Sequence, residues 1–268
     1  MAEERIDCME GKNDPRYYYV AQIMYVITTI FHLTMIVVPN FRSNLFKSLA
    51  ENIHILVPSS YVLILWPVIF IWISACIFIG CHSFGSDRMV VSYKKLVASR
   101  YVELFLYHLV IVMLWGREFH LFIMIISFIY LKKLIELMKL ISSSSVLRDN
   151  VWILKYPVGL HTGWLLVVSL VSFYAYLMSL GFAPVGLGML LTGIGVLLSI
   201  LSFACYLFIM YGNHMIMIAP LFYFFGLLTQ HYPGSNFTLR HPIFYMVVAL
   251  IFLLAVALYI RLLRYQRK

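Results

Sequence analysis

The residues of this chain that could bind a ligand are rings and small polar groups within apolar segments. Those expected to face inward are Trp66, Trp115, Trp164, His108, His161 and Ser172. A flat apolar molecule stacks on such rings, and a few polar groups fix its orientation. The pattern therefore predicts an interior site for a hydrophobic small molecule. The alternative is a packed interior whose polar atoms are satisfied within the protein.

Sequence motifs for catalysis or metal binding are missing from the chain. It contains no HExxH, no GxSxG and no DExxD-like cluster of carboxylates. Glu103 is the acidic residue nearest to the middle of an apolar segment, and on a helix His108 is turned about 140° away from it. A metal site needs three or four converging ligands, which no spacing indicates. We therefore expect no enzymatic activity, no cofactor and no metal.

The composition requires lipid as the solvent of this chain. Hydrophobic residues make up 63% of it and charged residues 12%, whereas soluble domains carry about a quarter charged residues. The formal net charge of +9 comes from basic residues between and after apolar runs. Such residues contact anionic lipid headgroups. The expected partner is therefore the lipid bilayer, and we expect no nucleic-acid binding. The four cysteines form no CxxC pair and are expected to pack as small apolar residues.

Eight apolar segments are each predicted to cross the membrane as a helix. They cover about 17–38, 59–82, 97–115, 119–141, 155–181, 185–211, 214–230 and 241–260. Pro220 is expected to interrupt the seventh segment. The predicted fold class is therefore all-α, a polytopic transmembrane bundle of about eight spans that follows a polar N-terminus at 1–16.

The positions of the basic residues predict the orientation of the bundle. With eight spans, sixteen of the 20 Lys and Arg residues fall on the side that holds both termini. Because basic loops stay on the cytoplasmic side, both termini are expected in the cytoplasm. Merging the third and fourth segments, or omitting the seventh, would place the basic C-terminus outside. The sequence does not identify the membrane.

The fifth segment is the one around which the bundle is predicted to form. After Pro157 it continues for more than twenty residues without a charge. On a helix, its polar and small residues share one narrow stripe. The members of this stripe are Pro157, His161, Trp164, Val168, Ser172, Ala175 and Ser179. A spanning helix keeps such a face inside protein.

This fifth segment resembles the fifth helix of the TspO/MBR family, the translocator and tryptophan-rich sensory proteins. The resemblance lies in PVGLHTGWLLVVSLVSFYAYLMSLGF, where a Pro, an aromatic or His and a Gly-Trp pair recur in the longer bacterial-type relatives. The matching residues are Pro157, His161, Gly163 and Trp164. Ser172 stands where the family has an asparagine.

Two further stretches are similar to motifs of the same family. A Pro-x-x-Tyr followed by a tryptophan on the second helix corresponds to Pro58, Tyr61 and Trp66. On the third segment, His108 and Trp115 stand where the family has Asn and Trp. Several other tryptophans of the family, and both of its asparagines, are absent from this sequence.

The resemblance implies a TspO-like five-helix core over 17–181, with three further spans over 182–268. It also implies a pocket for porphyrins, sterols or related hydrophobic ligands. The expected lining residues are Tyr61, Trp66, His108, Trp115, His161, Trp164 and Ser172. We expect a binder or sensor of a hydrophobic small molecule. A small-solute transporter using the same pocket and a structural subunit without a ligand remain open alternatives, and so does a homo-oligomer.

Overall fold

The protein is all-α throughout the part that the structure, a computed structural model, describes. The described residues are 15–37, 54–79, 87–115, 119–143, 151–181, 187–231, 246–253 and 256. These ranges contain eight helices and no strand. The predicted fold class is confirmed. The polar N-terminus up to residue 14 and most of the predicted eighth segment lie outside the described residues.

Seven long helices follow one another in the described ranges. They are α1 (Pro15–Val37), α2 (Leu65–Ile79), α3 (Asp87–Trp115), α4 (His120–Ser143), α5 (Tyr156–Ser179), α6 (Leu187–Tyr211) and α7 (Met215–Gln230). The described residues of the eighth are 246–253 and 256. Two short 3-10 turns, His54–Leu56 and Ser60–Ile64, precede α2, and a π-helical turn, Val151–Lys155, leads into α5.

Among the described residues, three helical stretches are each long and apolar enough to cross a membrane: Tyr61–Phe78, Val151–Ser179 and Leu187–Tyr211. Tyr19–Thr34 and Met215–Gln230 are shorter apolar helices. α3 begins about ten residues before the predicted third segment. Its first turns carry Lys94 and Lys95, which are good helix formers and lengthen the helix beyond its apolar part.

α5 lies at the centre of the bundle. Every residue from Pro157 to Ser172 is buried, and α5 packs against α2, α4, α6 and α7. Both the polar stripe and the opposite apolar face therefore contact protein. The exception on the stripe is Ser179, which is exposed near the end of α5 and donates to the carbonyl oxygen of Tyr176 at 2.7 Å.

The start of α5 is joined to the turn between α6 and α7. A Cβ atom at Gly163 would overlap the backbone of Ile216, so the glycine is what allows α7 to approach this closely. Asn213 is fully buried in the turn. Its Nδ2 donates to the carbonyl oxygen of Lys155, and its Oδ1 accepts from the backbone N–H of Met215 at 3.1 Å.

α7 is continuous through Pro220, so the predicted interruption is wrong. Pro220 lies in the second turn, where its missing N–H leaves the carbonyl of Ile216 without its intrahelical partner. An added Cβ at Gly163 would overlap that carbonyl oxygen. Neighbouring helices commonly accommodate a proline in this way inside a membrane bundle.

α7 also holds the turns that precede α2. The backbone N–H of Ser59 donates to the carbonyl oxygen of Gly226 at 2.9 Å, and the Tyr223 hydroxyl donates to the carbonyl oxygen of Leu56 at 2.7 Å. A side chain at Gly226 would overlap Val62. The segment at 54–64, which leads directly into α2, is thus fixed by a helix from the far end of the sequence.

Candidate functional site

Buried rings from the first five helices meet in one place. We call this group the ring cluster: His32 from α1, Trp66 and Phe70 from α2, His108 from α3, Tyr130 from α4, and His161 and Trp164 from α5. Its polar members on α1, α3 and α5 are separated by long stretches of sequence. The fold brings them together because α1 and α3 pack with each other, while α2 bridges α1 and α5.

Trp66 is the ring that most of the cluster surrounds. Its centroid lies 4.5 Å from that of His108, 5.6 Å from His32, 5.9 Å from Trp164 and 6.3 Å from His161. These distances fall in the range of favourable ring pairs, each worth about 0.5–1.5 kcal/mol beyond the buried area. The rings therefore hold α1, α2, α3 and α5 together through direct contact.

A chain of hydrogen bonds sets the tautomers of two histidines. His32 Nδ1 lies 2.7 Å from the carbonyl oxygen of Thr28, which can only accept, so Nδ1 carries the proton. In a neutral ring, His32 Nε2 is then the acceptor. His108 Nε2 lies 3.2 Å from it and must donate. The assignment follows from these partners and leaves His108 Nδ1 as an unprotonated acceptor.

The tautomer of the histidine on α5 is set by a tyrosine. The hydroxyl of Tyr130 lies 3.0 Å from His161 Nε2, and both residues are fully buried. A tyrosine that accepted this bond would leave its own buried hydrogen without an acceptor. Tyr130 therefore donates to Nε2, and the proton of the neutral His161 ring is on Nδ1.

Three nitrogen atoms of the ring cluster are buried without a hydrogen-bond partner in the described part of the chain. They are His108 Nδ1, His161 Nδ1 and Trp164 Nε1. With the tautomers above, the first is an acceptor and the other two are donors. Such an unpaired buried group costs about 1–3 kcal/mol. Because proteins rarely keep one, these atoms mark a place for ordered water or a ligand.

The charged residue nearest in sequence to His108 is engaged elsewhere. Glu103 accepts from Lys133 of α4 at 2.9 Å and lies 3.7 Å from Arg100. The ring cluster itself consists of side chains without formal charge when its histidines are neutral. Within the described ranges, no group of three or more His, Cys, Asp or Glu residues is arranged to hold a metal ion.

The predicted site residues fall into two groups in the structure. Those that meet in the ring cluster are Trp66, His108, His161 and Trp164. Tyr61 is 41% exposed and lies against Phe222 of α7, with ring centroids 5.5 Å apart. Ser172 is buried on α5, roughly two turns beyond Trp164. The side chain of Trp115 lies outside the described part of the structure.

Sequence reasoning missed three members of the ring cluster: His32, Phe70 and Tyr130. His32 could have been singled out as the one histidine within the first apolar segment. Its partner His108 is 76 residues away, so no helical period relates them. Phe70 lies one turn after Trp66 and shares its face. Tyr130 gave no signal, because tyrosines are common in this chain.

Apolar helices packed around an enclosed central helix define an integral membrane protein of the helical-bundle class. The chain belongs to the TSPO-like protein family, whose sequence description matches residues 19–260. This confirms the resemblance to TspO and extends it through α6 and α7, beyond the five-helix region at 17–181. The comparisons with curated proteins and with solved structures gave no match.

Proposed function

We propose that this TspO-type membrane protein binds or senses a hydrophobic small molecule, porphyrin-like or sterol-like, at the ring cluster. The observation that carries the proposal is the set of three buried nitrogen atoms without partners: His108 Nδ1, His161 Nδ1 and Trp164 Nε1. An interior that served packing alone would be more stable with apolar side chains of the same shape. Retaining the nitrogen atoms makes sense where an external molecule completes their hydrogen bonds.

Binding at this site involves both the rings and the nitrogen atoms. The faces of Trp66 and Phe70 offer apolar stacking surface, and His161 and Trp164 offer N–H groups. Because the rings contact one another, an entering ligand displaces some of these contacts and replaces them with its own. The fluorescence of Trp66 and Trp164 is therefore expected to change when the ligand binds.

The test uses the full chain, purified and inserted into lipid nanodiscs. Protoporphyrin and cholesterol are titrated separately, and both the thermal midpoint and the tryptophan fluorescence are followed. At least one ligand should bind saturably and raise the midpoint. Trp164→Phe removes the unpaired Nε1–H group and retains an aromatic ring, so it should weaken binding about tenfold, as expected for one lost hydrogen bond.

A matched control is Trp72→Phe, since Trp72 is on the same helix as Trp66 but contacts Trp152, at 6.4 Å between centroids. It should bind as tightly as the unmodified chain. A flat response to both ligands would reject the proposal and leave a structural subunit with a filled interior. Uptake into proteoliposomes that Trp164→Ala abolishes would instead identify a transporter using the same site.

We also propose that both termini face the cytoplasm. The support is the placement of sixteen of the 20 basic residues on one side when eight spans are drawn. A fluorescent protein fused to the C-terminus should resist protease added outside intact cells and be cleaved after permeabilisation. Cleavage in intact cells, or protection after the plasma membrane alone is permeabilised, would show that the orientation or the number of spans is wrong.

A further inference from the structure

The three nitrogen atoms without partners belong to rings that share one neighbour. His108, His161 and Trp164 all contact Trp66, with centroids between 4.5 and 6.3 Å from it. All three rings are at least nine-tenths buried. They come from α3 and α5, whereas Trp66 comes from α2. The three rings that carry the unpaired atoms thus surround Trp66 in one region of the interior.

The hydrogen-bonding roles of these atoms define the group that would satisfy them. His161 Nδ1 and Trp164 Nε1 are donors, and His108 Nδ1 is an acceptor. A hydroxyl group accepts two hydrogen bonds and donates one, which matches the set completely. A carbonyl oxygen has no hydrogen for His108. A water molecule has one hydrogen more than the set can accept.

A carboxylate fits this set poorly for two reasons. It has no hydrogen to donate to His108 Nδ1, and it places a negative charge among neutral rings. Burying an ionised carboxylate without a cationic partner is strongly unfavourable. Two described cations, Lys133 of α4 and Arg100 of α3, already pair with Glu103 and are therefore engaged.

We infer that the ring cluster recognises the single hydroxyl group of an otherwise apolar molecule. His161 Nδ1–H and Trp164 Nε1–H donate to the hydroxyl oxygen, and the hydroxyl hydrogen is donated to His108 Nδ1. Trp66 and Phe70 contact the hydrocarbon part. The inference rests on the proposed function and narrows its ligand to apolar alcohols, at the expense of porphyrin carboxylates.

The test compares three molecules with the same fused-ring skeleton: cholestanol, cholestanone and cholestane. Each is delivered from cyclodextrin to the full chain in nanodiscs, and affinity is measured by tryptophan fluorescence. The ketone keeps the oxygen but loses the donated hydrogen, and the hydrocarbon loses both. We expect the alcohol to bind about tenfold more tightly than the ketone and about a hundredfold more tightly than the hydrocarbon.

Trp164→Phe tests which residue reads the oxygen. It removes one N–H group and retains an aromatic ring, so the affinities for the alcohol and the ketone should fall about tenfold. The affinity for the hydrocarbon should stay nearly constant. Trp66→Phe is the matched control. It also replaces an indole ring by a benzene ring, but Trp66 contributes stacking, so the affinities for all three molecules should fall by the same factor.

The outcomes separate this inference from the proposed function. Equal affinities for the three molecules, or no change of the alcohol-to-hydrocarbon affinity ratio in Trp164→Phe, would overturn the hydroxyl site and leave ligand binding intact. Binding of protoporphyrin alone would have the same meaning. If neither the three molecules nor protoporphyrin binds, both the inference and the proposed function are wrong.

Discussion

Thr28 determines the hydrogen-bonding direction of two buried histidines through a single carbonyl oxygen. It fixes the proton on His32 Nδ1, and the bond to His108 then runs in one direction. If a neutral His32 instead donated from Nε2 to His108, its Nδ1 would be unprotonated and would face the carbonyl oxygen of Thr28 without a hydrogen between them. His108 Nδ1 is therefore held in the acceptor role by a residue that does not touch it.

The hydroxyl of Tyr130 is expected to contribute to stability through one bond. Tyr130→Phe leaves His161 Nε2 buried without a donor, which should lower the free energy of unfolding by about 1–3 kcal/mol. The measurement is thermal or denaturant unfolding in a fixed detergent. Tyr107→Phe is the control, because Tyr107 stacks on Tyr130 at 6.1 Å and is less buried. Equal losses for the two changes would contradict a specific bond.

At the scale of single residues, part of the site could be predicted from the sequence. Rings on inward faces, such as Trp66 and Trp164, could be predicted because periodicity and the family resemblance both mark them. The bond between His32 and His108 could not, since it depends on how α1 and α3 are rotated against each other. Tyr61 is the opposite case. The family motif predicts it as a site residue, but in the structure its ring packs against Phe222 of α7.

At the scale of helices, glycine determines how closely α5 and α7 approach. Gly163→Ala would push a methyl group into the backbone of Ile216. Because a backbone cannot move aside as a side chain can, the helices must separate, and the free energy of unfolding should fall by about 1–3 kcal/mol. Thermal unfolding in detergent measures this.

Gly195→Ala is the matched control on α6, since an added Cβ there meets nothing within 4 Å. It should be neutral, or stabilising by up to about 1 kcal/mol because alanine favours the helix. A midpoint for Gly163→Ala as high as that of Gly195→Ala would show that the contact between α5 and α7 is not close.

The contact between α7 and the turns before α2 can be tested by cross-linking. The hydroxyl oxygens of Ser59 and Thr229 lie 2.7 Å apart. With the four native cysteines replaced by alanine, Ser59→Cys combined with Thr229→Cys should form a disulfide on mild oxidation. The bond should raise the unfolding free energy by about 2–4 kcal/mol, since it closes a long loop. The single variant Ser59→Cys should show no such change on oxidation, and failure of the pair to cross-link would contradict the contact.

Helix existence was predictable from the apolar segments, whereas helix ends were not. The second segment was expected from about residue 59, but α2 begins at Leu65. The chain forms 3-10 turns first, and Pro67, which has no N–H to donate, lies in the first turn of α2. At Pro220 the error ran the other way, because α7 continues through the proline while it packs on α5.

At the scale of the whole molecule, α6 and α7 complete the surroundings of α5. A chain that ends at Gly181 exposes Gly159 and Gly163, and it leaves the segment at 54–64 without Tyr223 and Gly226. We expect this truncated chain to aggregate in a detergent that keeps the full chain monodisperse. Size-exclusion chromatography of the two checks it. A truncated chain that is monodisperse and unfolds cooperatively would show that 17–181 folds as an independent core.

The enclosure of α5 sets an order on biosynthesis. Two of the helices that cover it, α6 and α7, are translated after it. While the ribosome is still producing them, the glycine-lined side of α5 has no permanent neighbour and must be shielded by lipid or by the insertion machinery. Mutations that slow or misdirect the last third of the chain therefore act on the middle of the molecule, and quality control would meet them as a half-assembled bundle.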